Sequence, residues 1–346
     1  MMPDMPPNSH RTAAVLVWLV AAFAGPMATA QPADIQFFGD VYLSTRTLEA
    51  TCAEDGRCTT FDDVAELLRT ANHNVVNLEG PTTEAFVPLT FKRYLLRMPL
   101  SVAPLLRRVG IDVATLANNH VLDFGYQGLI DTKLALADAD VATTGAGRNR
   151  EQAMQPVILG TSGKPICLVA FSRTLPASFW ATTKRPGTAF ASLRTVKTAV
   201  HSCAATGLYP IAAFHWGREK SSATVDYQRQ LAHAAIDAGA RLVIGHHPHM
   251  LQGLEVYKGR PIVYSLGNFA FGSVPASGGQ EGLAARLSLG AEHDRLDLVP
   301  LVVRNDVVHF RPRPLADGES DPFASHVPKD APCHWEKAKR HWTCLF

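Results

Sequence analysis

Residues 242–249 read LVIGHHPH and join a short apolar run to a group of histidines. The run at 242–244 is typical of a strand buried in a sheet. His247 and His249 flank Pro248, and in an extended loop residues two apart can present both imidazoles toward one centre. The stretch therefore predicts a strand whose end carries an imidazole site. The alternative is a polar turn stiffened by Pro248.

The same arrangement of an apolar run and a polar end occurs six times along the chain. The runs are 35–38 before Gly39 and Asp40, 75–76 before 77–80, 113–116 before 118–120, 211–214 before 215–217, 242–244 before 245–249, and 262–266 before 267–269. A further run, 166–171, ends in a Ser-Arg pair, and helical patterns separate the runs at 61–71, 99–110, 126–139 and 225–239. This alternation predicts an α/β sheet fold, in which ligands bind beyond the carboxyl ends of the strands.

The chain beyond Gly282 has a different character. The runs LAARLSLG, RLDLVPLVV and DVVHFRP alternate over short distances without a helical pattern between them, which predicts antiparallel strands completing a second sheet. From about Pro314 the chain is rich in Pro, Asp and Ser. We therefore predict a signal segment at 1–30, a domain at 31–313 and a tail at 314–346 that packs on the surface. The segment 172–186 is predicted to be a long loop near the site.

The N-terminus resembles an export signal. A polar start ending in Arg11 leads to an apolar run at 13–24, followed by Gly-Pro and the small residues 28–30. The apolar run has 12 residues, fewer than the roughly 20 that a membrane-spanning helix needs. This pattern predicts an exported protein, periplasmic or extracytoplasmic after cleavage. An uncleaved N-terminal anchor is the alternative.

Export would place the six cysteines where disulfides persist. Cys52 and Cys58 lie close together in a loop-like segment, and Cys333 and Cys344 lie together in the tail. These spacings favour the pairs Cys52–Cys58 and Cys333–Cys344. Cys167 and Cys203, in apolar or helical surroundings, are predicted to be plain core residues.

The composition gives no reason to expect a nucleic-acid partner. Hydrophobic residues make up 47% and charged residues 18% of the chain, which is ordinary for a soluble globular protein. The net charge is only +2, and the basic residues are scattered rather than gathered into a patch.

The polar strand ends together form a dense set of metal-binding side chains. The candidate ligands are Asp40, Glu79, Asn119, His215, His247 and His249. Oxygen and imidazole donors suit Zn, Mn or Fe, and carboxylates buried together without a cation would be costly to keep ionised. We therefore predict divalent metal ions, two in number, with Glu79 able to bridge them. Asn77 could instead be a turn residue, and Asn268 is predicted to be structural.

His120 and Asp123 are the candidate catalytic residues. His120 follows Asn119 directly and could protonate a leaving oxygen, while Asp123 is placed to orient its imidazole. The alternative is that this segment forms the turn before the helix that starts near Tyr126.

Six motifs in this order closely resemble the CapA family of capsule and poly-γ-glutamate biosynthesis proteins. They are GDVYLS (39–44), NVVNLEGP (74–81), ATLANNHVLDFG (114–125), FHWGREKS (214–221), VIGHHPHMLQGLE (243–255) and RPIVYSLGNFAFG (260–272). The family looks like a branch of the calcineurin-like metallophosphoesterases. The resemblance implies a four-layer αββα sandwich with a dinuclear metal centre, the six ligands above, and His120 as the acid.

One position departs from the pattern that the resemblance implies. The first motif of that superfamily usually has Asp, any residue, then His, whereas the residue two after Asp40 is Tyr42. Two functions therefore stay open: an exported hydrolase acting on a phosphoester or on an amide of an anionic polymer, or a non-catalytic polymer-binding factor that assists a membrane-bound capsule synthase. A module whose polar clusters merely cap strands is a third reading.

Overall fold

The computed structural model describes residues 34–89, 92–160, 164–272 and 281–346, and the predicted signal segment lies outside them. The strands are β1 (Asp34–Tyr42), β2 (His73–Leu78), β3 (Val113–Thr115), β4 (Ala142–Thr144), β5 (Ala146–Gly147), β6 (Val157–Leu159), β7 (Ile166–Ser172), β8 (Gly187–Thr188), β9 (Tyr209–His215), β10 (Leu242–His246), β11 (Leu251–Tyr257), β12 (Arg260–Leu266), β13 (Asn268–Phe271), β14 (Glu281–Ser288), β15 (Arg295–Val302), β16 (Arg313–Pro314), β17 (Cys333–Glu336) and β18 (His341–Leu345).

The described part of the chain also contains α-helices, most of them short. They are α1 (Thr45–Thr51), α2 (Ala65–Arg69), α3 (Val102–Arg108), α4 (Gly125–Asp138), α5 (Arg150–Ala153), α6 (Leu193–Ala205), α7 (Asp226–Asp237) and α8 (Asn305–Val308), with 3-10 turns at Asp62–Val64, Ala177–Phe179 and Ala324–His326. No helix in the described part of the chain is long and apolar enough to cross a membrane.

Two sheets form the centre of the fold. The first runs β17-β18-β15-β14-β1-β2-β3-β4, and the second runs β11-β12-β10-β9-β7-β6. Strands β1 to β4 pair in parallel, as do β7, β9, β10 and β12. In each parallel set the carboxyl ends of the strands therefore meet at one edge.

Period-two alternation along the strands explains the layers. Phe37 in the first sheet and Ile211 in the second belong to one core between the sheets. Their neighbours point outward: Phe38 packs with residues of α3 and α4, and Ala212 packs with residues of α6 and α7. Burying an aromatic or large aliphatic side chain in such a core contributes about 1.5–3 kcal/mol. The result is a four-layer αββα sandwich, as the family resemblance implies.

Two predictions about regular structure are wrong, and one helix was not predicted. The antiparallel pair β14–β15 joins the sheet of β1 instead of completing the second sheet, which is built on β7, β9, β10 and β12. The start of the DVVHFRP run lies in α8 instead of a strand, and Asp306 in the first turn of that helix pairs with Arg304, which precedes it. Helix α6 was not predicted, although Ser192 and Thr195 form a reciprocal capping box at its start.

The tail also contributes to the first sheet. Strand β18 pairs with β15, β17 pairs with β18, and the side chain of Cys344 is fully buried. The division of the chain into a domain and a surface tail stays a prediction.

Three disulfides join the six cysteines. The predicted pairs Cys52–Cys58 and Cys333–Cys344 are confirmed. The prediction that Cys167 and Cys203 are unpaired core residues is wrong, because they form a third disulfide. Cys167 points from β7 toward the helix layer, where Cys203 lies in the last turn of α6, so both side chains are buried in the same core.

Candidate metal centre

All the candidate ligands lie at the carboxyl edge of the two sheets. Asp40 is near the end of β1, Glu79 directly follows β2, and Asn119 follows β3. His215 is the last residue of β9, and the stretch with His247 and His249 follows β10. The side chain of Asp40 is fully buried, and so is that of Glu79.

Unusual backbone geometry shapes two of the segments that carry candidate ligands, the one around Asp40 and the one after β10. A side chain at Gly39 would lie 2.2 Å from the Gly267 carbonyl oxygen, so glycine permits the close approach in which Asp40 N–H donates to that oxygen at 3.0 Å. After β10 the loop is not extended as predicted, because His247 and His249 have φ angles of 99° and 55°. Positive φ is unusual for histidine, and it turns both imidazoles into the site.

The side chains form two groups of metal-ligand donors that share one carboxylate. Glu79, His215 and His247 make the first group, and Asp40, Glu79 and His249 make the second. Within each group the donor atoms all lie within 4.8 Å of one another. Residues from both sheets contribute to each group.

Glu79 provides the test of whether a cation fits. Neither of its oxygens has a hydrogen-bond partner, although both are buried. The nearest nitrogens are Nε2 of His249 at 3.6 Å, His215 at 3.8 Å and His120 at 3.9 Å from Oε1. A buried carboxylate without partners is costly, and three imidazole nitrogens around it complete a donor set that suits a divalent ion. The residues present therefore fit a metal.

The electrostatics of the metal-free chain agree with this conclusion. Burial raises the pKa of Glu79 well above its usual value, and the charge of Asp40 raises it further. Burial opposes a charge on His249, but the carboxylates of Glu79 and Asp40 outweigh it and raise the pKa of His249 to about 10. The centre thus attracts a positive charge, which the His249 proton provides in the metal-free chain.

Two asparagines hold the ligands in place. Asn119 Oδ1 lies 2.8 Å from His215 Nε2. Asn77 lies within β2 rather than in a turn, and its Nδ2 donates to Asp40 Oδ1 at 2.7 Å and contacts His215 Nδ1 at 3.2 Å. Asn77 therefore links a carboxylate of the first sheet to an imidazole of the second.

Asn268 and His246 have supporting positions. Asn268, predicted to be structural, places its Oδ1 2.9 Å from Nδ1 of His249. His246 points away from the centre, and its Nε2 contacts the Phe38 carbonyl oxygen at 3.1 Å.

His120 and Asp123 form a hydrogen-bonded pair beside the two groups. Nδ1 of His120 lies 2.6 Å from Asp123 Oδ2, which also accepts from the Leu96 N–H at 2.8 Å. A carboxylate on Nδ1 leaves Nε2 facing the centre, where it lies 3.9 Å from Glu79. Burial lowers the pKa of His120, against the effect of Asp123.

Lys92 is a site residue that sequence reasoning missed. Its Nζ donates to the Asn119 carbonyl oxygen at 2.5 Å and to Asp123 Oδ1 at 2.7 Å, and it lies 2.9 Å from Nδ1 of His120. It belongs to the irregular segment between Pro81 and Met98, which carries no strand-end motif. The only signal is a lysine among aromatic and aliphatic residues, which does not by itself indicate a site.

Tyr42 lies next to the centre without joining it. Its ring centroid lies 5.5 Å from that of Phe271. Phe271 in turn packs 4.7 Å from His249. The position that the resemblance assigns to a histidine ligand therefore holds an aromatic wall of the site.

Comparisons with known proteins agree on one family. The sequence model described as bacterial capsule synthesis protein PGA_cap matches residues 34–273. The chain is similar to the PGA biosynthesis protein CapA of Bacillus subtilis, with 31% identity over 237 residues, which are 68% of this chain and 62% of that protein. It is also similar to the capsule biosynthesis protein CapA of Bacillus anthracis, with 35% identity over 48% of this chain and 41% of that protein. The chain thus spans less than two thirds of the length of these relatives.

Solved structures similar to this chain include two nucleotidases. The NAD nucleotidase of Haemophilus influenzae has a TM-score of 0.45 and 12% identity, over 79% of this chain and 50% of that one. The 5'-nucleotidase precursor of Thermus thermophilus has a TM-score of 0.43 and 16% identity, over 75% of this chain and 52% of that one.

Proposed function

Because this chain belongs to the bacterial capsule synthesis protein family PGA_cap, we propose that it is an exported metal-dependent hydrolase that takes part in making or anchoring a poly-γ-glutamate or similar capsule polymer. The observation that carries the proposal is the buried Glu79 carboxylate, which has no hydrogen-bond partner and is shared by two donor groups. Three disulfides support the export part of the proposal.

The metal would be held by Asp40, Glu79, Asn119, His215, His247 and His249. Divalent ions bound there would supply Lewis-acid chemistry, polarising a phosphoryl or acyl oxygen and making water acidic near neutral pH. The aromatic side chains of Trp216, which follows β9, and Phe269, on β13, are buried.

The chain's own acid is His120. Asp123 fixes the imidazole through Nδ1, so that Nε2 faces the centre and can hold or deliver a proton to a leaving oxygen. Lys92 positions this pair, since its ammonium group contacts the Asp123 carboxylate and the backbone of Asn119 together. One lysine thus ties the candidate acid to a candidate ligand.

The test is metal content measured together with hydrolysis. We expect purified protein to bind divalent metal and to hydrolyse p-nitrophenyl phosphate or a γ-glutamyl polymer, and we expect the Asp40→Ala, His247→Ala double variant to lose both properties. The matched control, Asp237→Ala with His201→Ala, removes the same residue types from exposed positions on α7 and α6 and should retain both. A metal-free wild type whose activity survives the double substitution would end the proposal.

A non-catalytic role is the second candidate. The observation that favours it is Tyr42 in place of a histidine, so that each group has only three His, Asp or Glu donors among the described residues. Such a factor would bind the polymer and assist a membrane-bound capsule synthase. Co-purification with synthase proteins that survives replacement of every ligand would favour this role, whereas loss of capsule in the same variants would count against it.

A further inference from the structure

A cavity of about 420 Å³ opens beside the metal centre. Its walls come from the end of β1, the start of α1, the segment between β2 and α3, and the start of α4. The lining residues that matter here are Tyr42, Arg46, Phe86, Arg97 and Phe124. None of them belongs to the two groups of ligand donors.

Two residues that line the cavity, Tyr42 and Phe124, connect it to the centre. Tyr42 lies two residues after Asp40 on β1, and its ring contacts Phe271, which contacts the His249 imidazole. Phe124 directly follows Asp123, the partner of His120. A molecule that reacts at the centre can therefore extend into the cavity without leaving the surface of the protein.

The cavity holds two positive charges that the described protein does not neutralise. Within the described ranges, no carboxylate lies in ion-pair distance of Arg46 or Arg97. Arg97 donates only to the Ala85 carbonyl oxygen, at 3.2 Å, and lies 5.6 Å from the centroid of the Phe124 ring. By contrast, other surface arginines of this chain are paired with an acid. Arg107 lies 2.6 Å from Asp112, and Arg304 lies 2.6 Å from Asp306.

We propose that this cavity is a subsite for an anionic group of the substrate, adjacent to the group that reacts at the metal centre. The planar guanidinium fork of arginine matches a carboxylate or phosphate, and aromatic rings beside it can pack against the carbon chain that joins two such groups. The inference rests on the proposed function and deepens it. The substrate class is a chain with repeated anionic groups, and a compound with one such group occupies only part of the site.

The experiment compares binding by full-length protein supplied with metal. The probes are a γ-linked glutamate oligomer, which offers carboxylates, and an inorganic polyphosphate of similar length, with free glutamate as the single-unit reference. The variant is Arg46→Ala with Arg97→Ala. The control is Arg69→Ala with Arg108→Ala, which removes two exposed arginines from a different cavity, next to Asn74 at the opposite end of β2 from Glu79.

We expect the double variant to bind the preferred oligomer roughly 10–100-fold more weakly, as loss of two partly exposed charge-assisted contacts implies, and the control to stay within about twofold. The oligomer that binds identifies the anionic group as a carboxylate or a phosphate. Lysine at both positions keeps the charge without the planar fork and should give an intermediate loss. Equal binding by the variant and the wild type, equal loss in the control, or no binding of either oligomer would overturn the proposal.

Metal content and hydrolysis of p-nitrophenyl phosphate separate this inference from the proposed function. If the wild type hydrolyses nothing but its oligomer binding depends on the two arginines, the subsite stands and the hydrolase proposal fails. If hydrolysis is intact but the double arginine variant binds the oligomer as well as the wild type does, the subsite proposal fails and the hydrolase proposal stands.

Discussion

Two buried carboxylates, Asp294 and Glu79, lie at opposite ends of the second sheet and have different kinds of neighbours. At the start of β9 and β10, Asp294 Oδ2 accepts hydrogen bonds from the Tyr209 hydroxyl at 2.8 Å and from Arg241 at 3.3 Å. Lys164 and Arg260 lie farther away, at 4.0 Å from Oδ1 and 3.9 Å from Oδ2. At the other end of the same strands, the Glu79 carboxylate lies near three imidazoles and the Asp40 carboxylate, and neither of its oxygens has a hydrogen bond.

The difference distinguishes a carboxylate that stabilises the fold from one that is available to bind a ligand. Arginine and lysine carry permanent charges, so the protein itself neutralises Asp294. Imidazoles can be neutral and then offer lone pairs, so the charge of Glu79 can be balanced either by a proton on His249, as in the metal-free chain, or by a cation from outside. Asp294 and Glu79 are similarly buried, but we therefore expect their substitution to change stability and metal affinity in opposite ways.

Glu79→Gln should have the largest effect. We expect metal affinity to fall roughly 10³-fold, more than the 10–100-fold that loss of an outer-shell partner costs, because both donor groups lose a ligand. The metal-free variant should be more stable than metal-free wild type by about 1 kcal/mol, since glutamine carries no charge at a position where burial opposes one. Competitive metal titration and urea unfolding in chelator measure the two effects, and a less stable variant in chelator would break the comparison.

Asp294→Asn should show the reverse pattern. We expect the free energy of unfolding to fall by about 2 kcal/mol, less than for a fully buried pair because Arg241 and Lys164 are partly exposed. Metal affinity should not change. Urea unfolding with and without metal tests this, and a variant as stable as the wild type would show that the cluster of cations does not need the carboxylate.

Lys92→Met should reduce turnover about 10-fold while bound metal is unchanged, because the methionine keeps the length of the side chain and loses the contacts with Asp123 and Asn119. Lys92→Arg should recover part of the loss. The measurement is kcat and KM with metal analysis of the same samples. A change in KM alone would assign Lys92 to substrate binding instead of to positioning His120.

Tyr209→Phe should have the smallest effect. It removes one hydrogen bond to Asp294 and keeps the ring that lies 5.3 Å from the Arg241 guanidinium. We expect a loss of about 1 kcal/mol in the free energy of unfolding, with metal affinity at the wild-type value. Any change in metal affinity would mean that the two ends of the strands are coupled.

The strand ends could be predicted from the sequence because buried runs and polar ends are local patterns. His215 and His247 stand directly after such runs, and the layers follow from alternation along them. Lys92 could not be predicted, since it reaches the site from an irregular segment through contacts that depend on tertiary packing. The disulfide between Cys167 and Cys203 was missed for the same reason: strand and helix meet only in the folded chain.

The division of ligands between the sheets has a mechanical consequence. Asp40 and Glu79 belong to the first sheet, whereas His215, His247 and His249 belong to the second. Any cation held by Glu79 and His247 would act as a reversible cross-link through the middle of the sandwich, joining segments far apart along the chain. Metal binding at the centre should therefore make the two sheets unfold as a single cooperative unit.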